Sequence, residues 1–98
     1  MNVLLSSVGR RSYLVHFFRE ALHNGGKVVC TNCYADTPGM FFADEARVVP
    51  ASYEPGFLDA MLDVCREFRP KLLFSLHDVE VPCIARWRDR FLEVGTFP

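Results

Sequence analysis

A glycine and two arginines share one turn near the start of the chain. The apolar run Val3–Leu5 predicts a short strand buried on both faces, and Gly9, Arg10 and Arg11 follow it. Glycine lets a ligand approach the backbone closely, and each arginine offers a planar fork of donors for a carboxylate or phosphate. Ser12 fits the N-cap of the next helix. The turn therefore predicts a site for an anion or acidic substrate, with two surface arginines beside an ordinary turn as the alternative.

The spacing in this turn excludes two common phosphate-binding motifs. Gly9 is the only glycine of the turn, so the G-x-G-x-x-G fingerprint of dinucleotide-binding proteins is absent. No Gly-Lys-Ser or Gly-Lys-Thr follows, so the turn is not a P-loop. The predicted anion site depends instead on the arginines and on the start of the helix.

A second polar group follows the last predicted strand, residues 71–75. His77, Asp78 and Glu80 come directly after it, and Asn32 ends the second predicted strand. Open α/β sheets place ligands at the carboxyl ends of their strands, so we expect these side chains to line the crevice of the first turn. Asp78 is equally suited to cap the next helix, which leaves His77 and Glu80 as the freer candidates. No spacing ties a serine to a histidine in a relay, so we predict no catalytic residue.

The four cysteines lack the spacing of a zinc site. Cys30 and Cys33 form a C-x-x-C, but Cys65 and Cys83 are too far apart to supply the second close pair. Cys30 also lies within a predicted strand, whereas a thioredoxin-like pair starts a helix. We expect reduced, partly buried thiols, with a metal or redox function of the cysteines as the alternative.

Strand and helix patterns alternate along the chain and predict a single α/β domain over residues 1–98. The helical segments carry apolar stripes at a period of 3.6, and the strands are largely apolar, as in a parallel sheet covered on both faces. The predicted fold is a three-layer sandwich: a four-stranded parallel sheet in the order 2-1-3-4 with helices on both faces. Strands are expected at 3–5, 27–32, 46–50 and 71–75, and helices at 12–24, 39–43, 55–68 and 81–94.

Composition narrows the classes of partner. Half of the 98 residues are hydrophobic, enough for a core, and the net charge of −1 gives no basic surface for nucleic acid. No apolar run is long enough to cross a membrane, and no secretory signal opens the chain, so we expect a cytoplasmic protein. Residues 96–98 stand where a fifth strand would begin, which favours the front part of a longer polypeptide.

The pattern resembles the N-terminal domain of the ATP-grasp superfamily, the Rossmann-like pre-ATP-grasp domain. The similarity is strongest to the branch that contains the carbamoyl-phosphate-synthase large chain and the pyrrolysine-biosynthesis ligase. It covers nearly the whole chain, and the Ser-Val-Gly-Arg-Arg turn is its most specific part. The residues that carry it are Leu4–Arg11, Val28–Cys33, Pro38, Phe42–Asp44, Val48–Pro50 and Leu76–Glu80.

The resemblance implies a role in a larger enzyme. ATP-grasp ligases activate a carboxylate with ATP and Mg²⁺ and pass the acyl phosphate to an amine or another nucleophile. By resemblance, this domain supplies a wall of the substrate site, with Gly9, Arg10 and Arg11 facing a small carboxylate or amino-acid-like substrate. Asp78 and Glu80 would line the same crevice. ATP and Mg²⁺ would be bound mainly by ATP-grasp domains outside this chain, and this domain alone would be inactive.

A second interpretation stays open: a stand-alone α/β module that binds a nucleotide or another anion. It predicts a phosphate at the Gly9 turn and a homodimer that pairs the edge strand. The ligase interpretation predicts an exposed apolar sheet edge where the other domains dock. A response-regulator-like domain would need acidic residues after the first strand, where Ser6 and Ser7 stand instead.

Overall fold

The computed structural model describes residues 1–98, and its elements follow one another as alternating strands and helices. The strands are β1 (Asn2–Ser6), β2 (Val28–Asn32), β3 (Glu45–Val48) and β4 (Pro70–Ser75). The helices are α1 (Ser12–Ala21), α2 (Pro38–Phe42), α3 (Phe57–Phe68), α4 (Val81–Arg86) and α5 (Arg88–Glu93). All strands pair in parallel within one sheet, so the predicted α/β class is confirmed.

The order of the strands differs from the predicted 2-1-3-4. The sheet runs β3-β2-β1-β4, so β3 lies outside β2, and β4 pairs directly with β1. The connection through α2, a helix of only five residues, moves the chain one strand outward. The connection through the twelve-residue α3 crosses back over the other face to the free side of β1. The strand order therefore reverses between β1 and β4, and such a reversal opens a crevice in α/β sheets.

Two apolar clusters cover the two faces of the sheet. Along β1, Val3 and Leu5 belong to one cluster and Leu4 to the other, because successive side chains point to opposite faces. The first cluster packs against α1 and α2, through residues that include Val15 and Met40. The second packs against α3, α4 and α5, through residues that include Met61, Ile84 and Phe91. Helices therefore cover both faces, as predicted.

The predicted last helix, 81–94, is two short helices. The chain leaves helical geometry at Trp87, where φ is −105° and ψ is 20°. The break redirects the chain, so that α5 buries Phe91 and the Thr96 hydroxyl donates to the Pro70 carbonyl at 2.8 Å. Phe97 then forms a single parallel bridge to Leu72, at the place where a fifth strand was expected. None of the helices has the length and apolar character to cross a bilayer.

Candidate functional site

A cleft of about 420 Å³ lies at the carboxyl ends of the strands, in the region where the strand order reverses. It is lined by six of the eight predicted site residues: Gly9, Arg10, Arg11, Asn32, His77 and Glu80. Ser12 and Asp78 do not line it. The topology therefore brings most of the predicted polar groups together, because parallel strands end at one edge of the sheet.

The turn after β1 has a backbone shape that few residues adopt. Ser7 and Gly9 have φ angles of 56° and 50°, in the left-handed region. A Cβ on Gly9 would meet nothing within 4 Å, so conformation rather than space favours glycine there. Gly39 of α2 closes over the turn and donates its N–H to the Gly9 carbonyl at 2.9 Å. The turn is thus held in place by α2.

The two arginines of the turn have different surroundings. The Nη1 of Arg11 donates to the Leu76 carbonyl and so ties the turn to the loop after β4. The guanidinium of Arg10 is exposed and has neither a hydrogen bond nor an ion pair within the chain. Arg10 therefore keeps all its donors for a ligand, whereas Arg11 is partly used by the fold.

Glu80 forms the buried acidic part of the cleft, with only 3% of its surface exposed. Its carboxyl accepts hydrogen bonds from the Ser7 hydroxyl and from the Ser75 hydroxyl, the latter at 2.8 Å. No lysine, arginine or histidine lies within ion-pair distance of it. A buried acidic group with hydroxyl partners alone can accept a cationic group from a ligand.

The predicted caps are wrong for both helices that flank the cleft. Helix α1 begins at Ser12 itself, its N-cap is Arg11, and no side chain caps it. The N-cap of α4 is Glu80 rather than Asp78, again without a side-chain hydrogen bond. In both cases the chain enters the helix without the extended residue that orients a capping side chain. Asp78 is exposed and does not line the cleft.

The remaining predicted residues shape the loops of the cleft. Asn32 is buried, and its Nδ2 donates to the Tyr34 carbonyl at 3.2 Å, which fixes the loop after β2. His77 is exposed, and its Nδ1 accepts from the Val79 N–H at 3.2 Å. Each of these side chains therefore orders the loop that carries it.

Sequence reasoning missed several residues of the site. Ser7 and Ser75 hold Glu80, and the tyrosines Tyr34 and Tyr53 line the far part of the cleft. Their positions were the available signal, because each of them ends a strand, directly follows one, or lies in the loop after one.

A larger hollow of about 490 Å³ beside β3 is mostly apolar, with Asp36 as its only charged residue, and offers no comparable chemistry.

The structure offers no set of ligands for a metal ion. No group of three or more His, Cys, Asp or Glu side chains lies close enough together to hold a metal ion. All four cysteines are free thiols. Burial, with a smaller contribution from the charge of Asp44, raises the pKa of Cys30 to about 12. The Cys30 thiol therefore stays protonated at neutral pH and is a poor nucleophile or ligand.

Comparisons with known proteins identify the fold and the family of this chain. No curated protein matches the sequence. The structure of glycinamide-RNase-transformylase T from Mycobacterium tuberculosis is similar, with a TM-score of 0.69 and 20% sequence identity, over 99% of this chain. The match covers 28% of that chain, and at this identity it shows the fold alone. The family model described as "PylC-like, N-terminal domain" matches residues 3–98, and the chain therefore belongs to the PylC-like N-terminal domain family, a pre-ATP-grasp domain of ATP-grasp ligases.

Proposed function

We propose that this chain is the substrate-binding domain of an ATP-grasp ligase and that its cleft binds the carboxylate of a small molecule. The complete enzyme would activate that carboxylate with ATP and join it to an amine or another nucleophile. The observation that carries the proposal is the free guanidinium of Arg10, in a cleft where the strand order reverses. Membership of the PylC-like family supports the ligase context.

Arg10 is the first contact that we propose for the substrate. A guanidinium holds a carboxylate through two parallel N–H···O bonds, and the start of the ten-residue α1 adds a partial positive charge nearby. Arg11 supports the site electrostatically while it anchors the turn to Leu76. Glu80, buried and without a cationic partner, would receive the ammonium group of an amino-acid-like substrate.

The chemical step would need groups from elsewhere. ATP-grasp enzymes use ATP and Mg²⁺, which supply the phosphoryl group and its charge neutralisation. This chain has no cluster of three metal-ligating side chains and no serine–histidine relay, and the part that we propose for it is to bind and orient the substrate. We infer that other domains hold the nucleotide and that this domain alone is inactive. Assignment to the carbamoyl-phosphate-synthase-like branch, a cytoplasmic location and a homodimer stay predictions.

A stand-alone module for a nucleotide or another anion is the second candidate. Arg10 and the start of α1 suit a phosphate as well as a carboxylate. The two functions differ in the ligand that they need. The ligase domain binds carboxylates without a nucleotide, whereas the module binds a nucleotide and is indifferent to amino acids.

Calorimetric titration of the chain separates these functions. The ligands are a panel of amino acids and dicarboxylic acids, ATP–Mg²⁺ and ADP. We expect carboxylates to bind and Arg10→Ala to weaken them about tenfold or more, since a hydrogen bond to a charged group contributes about 1.5–3 kcal/mol. Arg90→Ala, an exposed arginine on α5 outside the cleft, is the matched control and should change nothing. Binding of nucleotide alone would favour the module and reject the ligase domain.

A further inference from the structure

The cleft has two halves of different chemistry. Its charged side chains, Arg10, Arg11 and Glu80, and its one histidine, His77, all follow β1 or β4. The lining residues that come from the loops after β2 and β3 carry no charge. Since the sheet runs β3-β2-β1-β4, the cationic and acidic groups lie at one end of the cleft and an uncharged half lies at the other.

The uncharged half combines two tyrosines and three apolar residues with four polar ones, Asn32, Cys33, Thr37 and Ser52. Tyr34 and Tyr53 line it and are 67% and 84% exposed, while Val49, Pro50 and Ala51 contribute apolar surface beside them. Neither tyrosine hydroxyl has a hydrogen bond, and neither ring packs against another aromatic ring. The fold therefore makes little use of these rings, although tyrosine provides a large and rigid contact surface for a ligand at low entropic cost.

We propose that Tyr34 and Tyr53 determine the specificity of the cleft and select a carboxylate that carries an apolar or aromatic body. The carboxylate lies against Arg10, and the body lies against the two rings, beside Val49 and Pro50. This inference rests on the carboxylate-binding function proposed above. The volume of about 420 Å³ supports it, because pockets of about 300–1,000 Å³ hold a whole small molecule rather than a single polar group.

The experiment compares ligands that differ only in the proposed contacts. Glycine and phenylalanine share the ammonium and the carboxylate, phenylalaninamide lacks the carboxylate, and AMP combines a ring with a phosphate. We expect phenylalanine, in at least one enantiomer, to bind about tenfold more tightly than glycine, because stacking and burial of a ring favour the larger ligand. Phenylalaninamide should bind more weakly than phenylalanine.

Variants assign the preference to the two rings. Tyr34→Ser and Tyr53→Ser should each reduce the preference for phenylalanine over glycine, and the double variant should remove it. Tyr34→Phe and Tyr53→Phe should keep it, because they retain the ring. Tyr13→Ser is the matched control, since Tyr13 is also exposed but lies on α1 outside the cleft. Tyrosine ring signals in NMR spectra should shift on binding for Tyr34 and Tyr53 and not for Tyr13.

The outcomes separate this inference from the proposed function. Equal affinities for glycine and phenylalanine that both fall in Arg10→Ala would overturn the inference and leave carboxylate binding intact. A preference for phenylalanine that survives in the double Tyr34→Ser, Tyr53→Ser variant would overturn it as well. Failure of both amino acids to bind would overturn the inference together with the function on which it rests. Binding of AMP but of neither amino acid, if it depends on the rings of Tyr34 and Tyr53, would also overturn both the inference and the proposed function. It would identify a nucleotide site.

Discussion

Glu80 is a buried acidic residue that joins the end of β1 to the end of β4. Ser7 and Ser75 donate their hydroxyls to it, so its removal leaves two donors without this acceptor. We predict that Glu80→Ala lowers the free energy of unfolding by about 1–3 kcal/mol, because two partly buried hydroxyls lose their carboxyl acceptor. Urea denaturation measures the loss, and Glu93→Ala, at an exposed glutamate of α5, is the control. Equal midpoints for wild type and Glu80→Ala would show that the hydroxyl contacts contribute nothing.

The Cys30 thiol gives the stability of the protein a dependence on alkaline pH. Its pKa rises from 9.0 to about 12 on folding, mainly because of burial. Between these values the unfolded chain loses the proton first, so the free energy of unfolding falls as the pH rises from 9 to 12 and is unaffected below this range. Urea midpoints measured from pH 8 to pH 11 should therefore decline more steeply for wild type than for Cys30→Ala. Parallel declines would contradict a perturbed thiol.

At the scale of single residues, the sequence predicted chemistry better than orientation. The types of Arg10, Arg11 and Glu80 and their positions after strands were sufficient to predict a polar cleft. The two hydroxyl partners of Glu80 were not predictable, because they depend on the left-handed backbone of Ser7 and on the pairing of β1 with β4. The capping roles of Ser12 and Asp78 failed for a related reason, since a cap is decided by the φ and ψ angles of one residue.

Helix α2 packs against the first turn through a glycine. A Cβ at Gly39 would lie 2.5 Å and 2.7 Å from the two γ-carbons of Val8 and 3.0 Å from the Gly9 carbonyl oxygen. We predict that Gly39→Ala costs about 1–3 kcal/mol of stability, because rotation of Val8 cannot clear both contacts. It should also weaken carboxylate binding, since α2 holds the turn that carries Arg10. Chemical denaturation and calorimetry measure the two effects.

Two variants test this explanation for Gly39. Gly25→Ala should change stability by less than about 0.5 kcal/mol, because its Cβ would meet nothing within 4 Å and its φ is not positive. The double variant Val8→Ala, Gly39→Ala should be less destabilised than the sum of its parts, because truncation of Val8 removes the clash. Strict additivity would mean that Gly39 acts through the backbone of α2 and not through this contact.

At the scale of elements, local patterns predicted which segments form helices and strands but not how they are arranged. The apolar stripe of α3 and the apolar run of β4 were visible in the sequence, and both elements lie where they were expected. The order of the strands depends on which side of β1 receives β4, and no local pattern encodes that choice. The break at Trp87 was missed because the stripe continues across it, with Ile84 and Phe91 both buried.

At the scale of the whole molecule, the outer edges of the sheet are open to further contacts. Phe74 on β4 is 41% exposed, and only Phe97 pairs with the outer side of this strand. The ligase interpretation predicts such an apolar edge where other domains dock. At the other end of the sheet, the guanidinium of Arg47 on β3 donates to the Ala46 carbonyl at 2.9 Å, which covers part of that edge. The β4 edge is therefore the more open of the two edges of the sheet.

The cleft forms where the reversal of strand order brings the β1 turn and the β4 loop together. The proposed carboxylate-binding function is tested most directly by NMR, with amide signals recorded while a dicarboxylic acid is added to the chain. We predict that the largest shifts occur at Gly9, Arg10 and Arg11, with smaller shifts at Asn32 and His77. In Arg10→Ala the same shifts should need a ligand concentration about tenfold or more higher. Shifts confined to other surfaces, or a response to ATP and none to carboxylates, would contradict the proposed function.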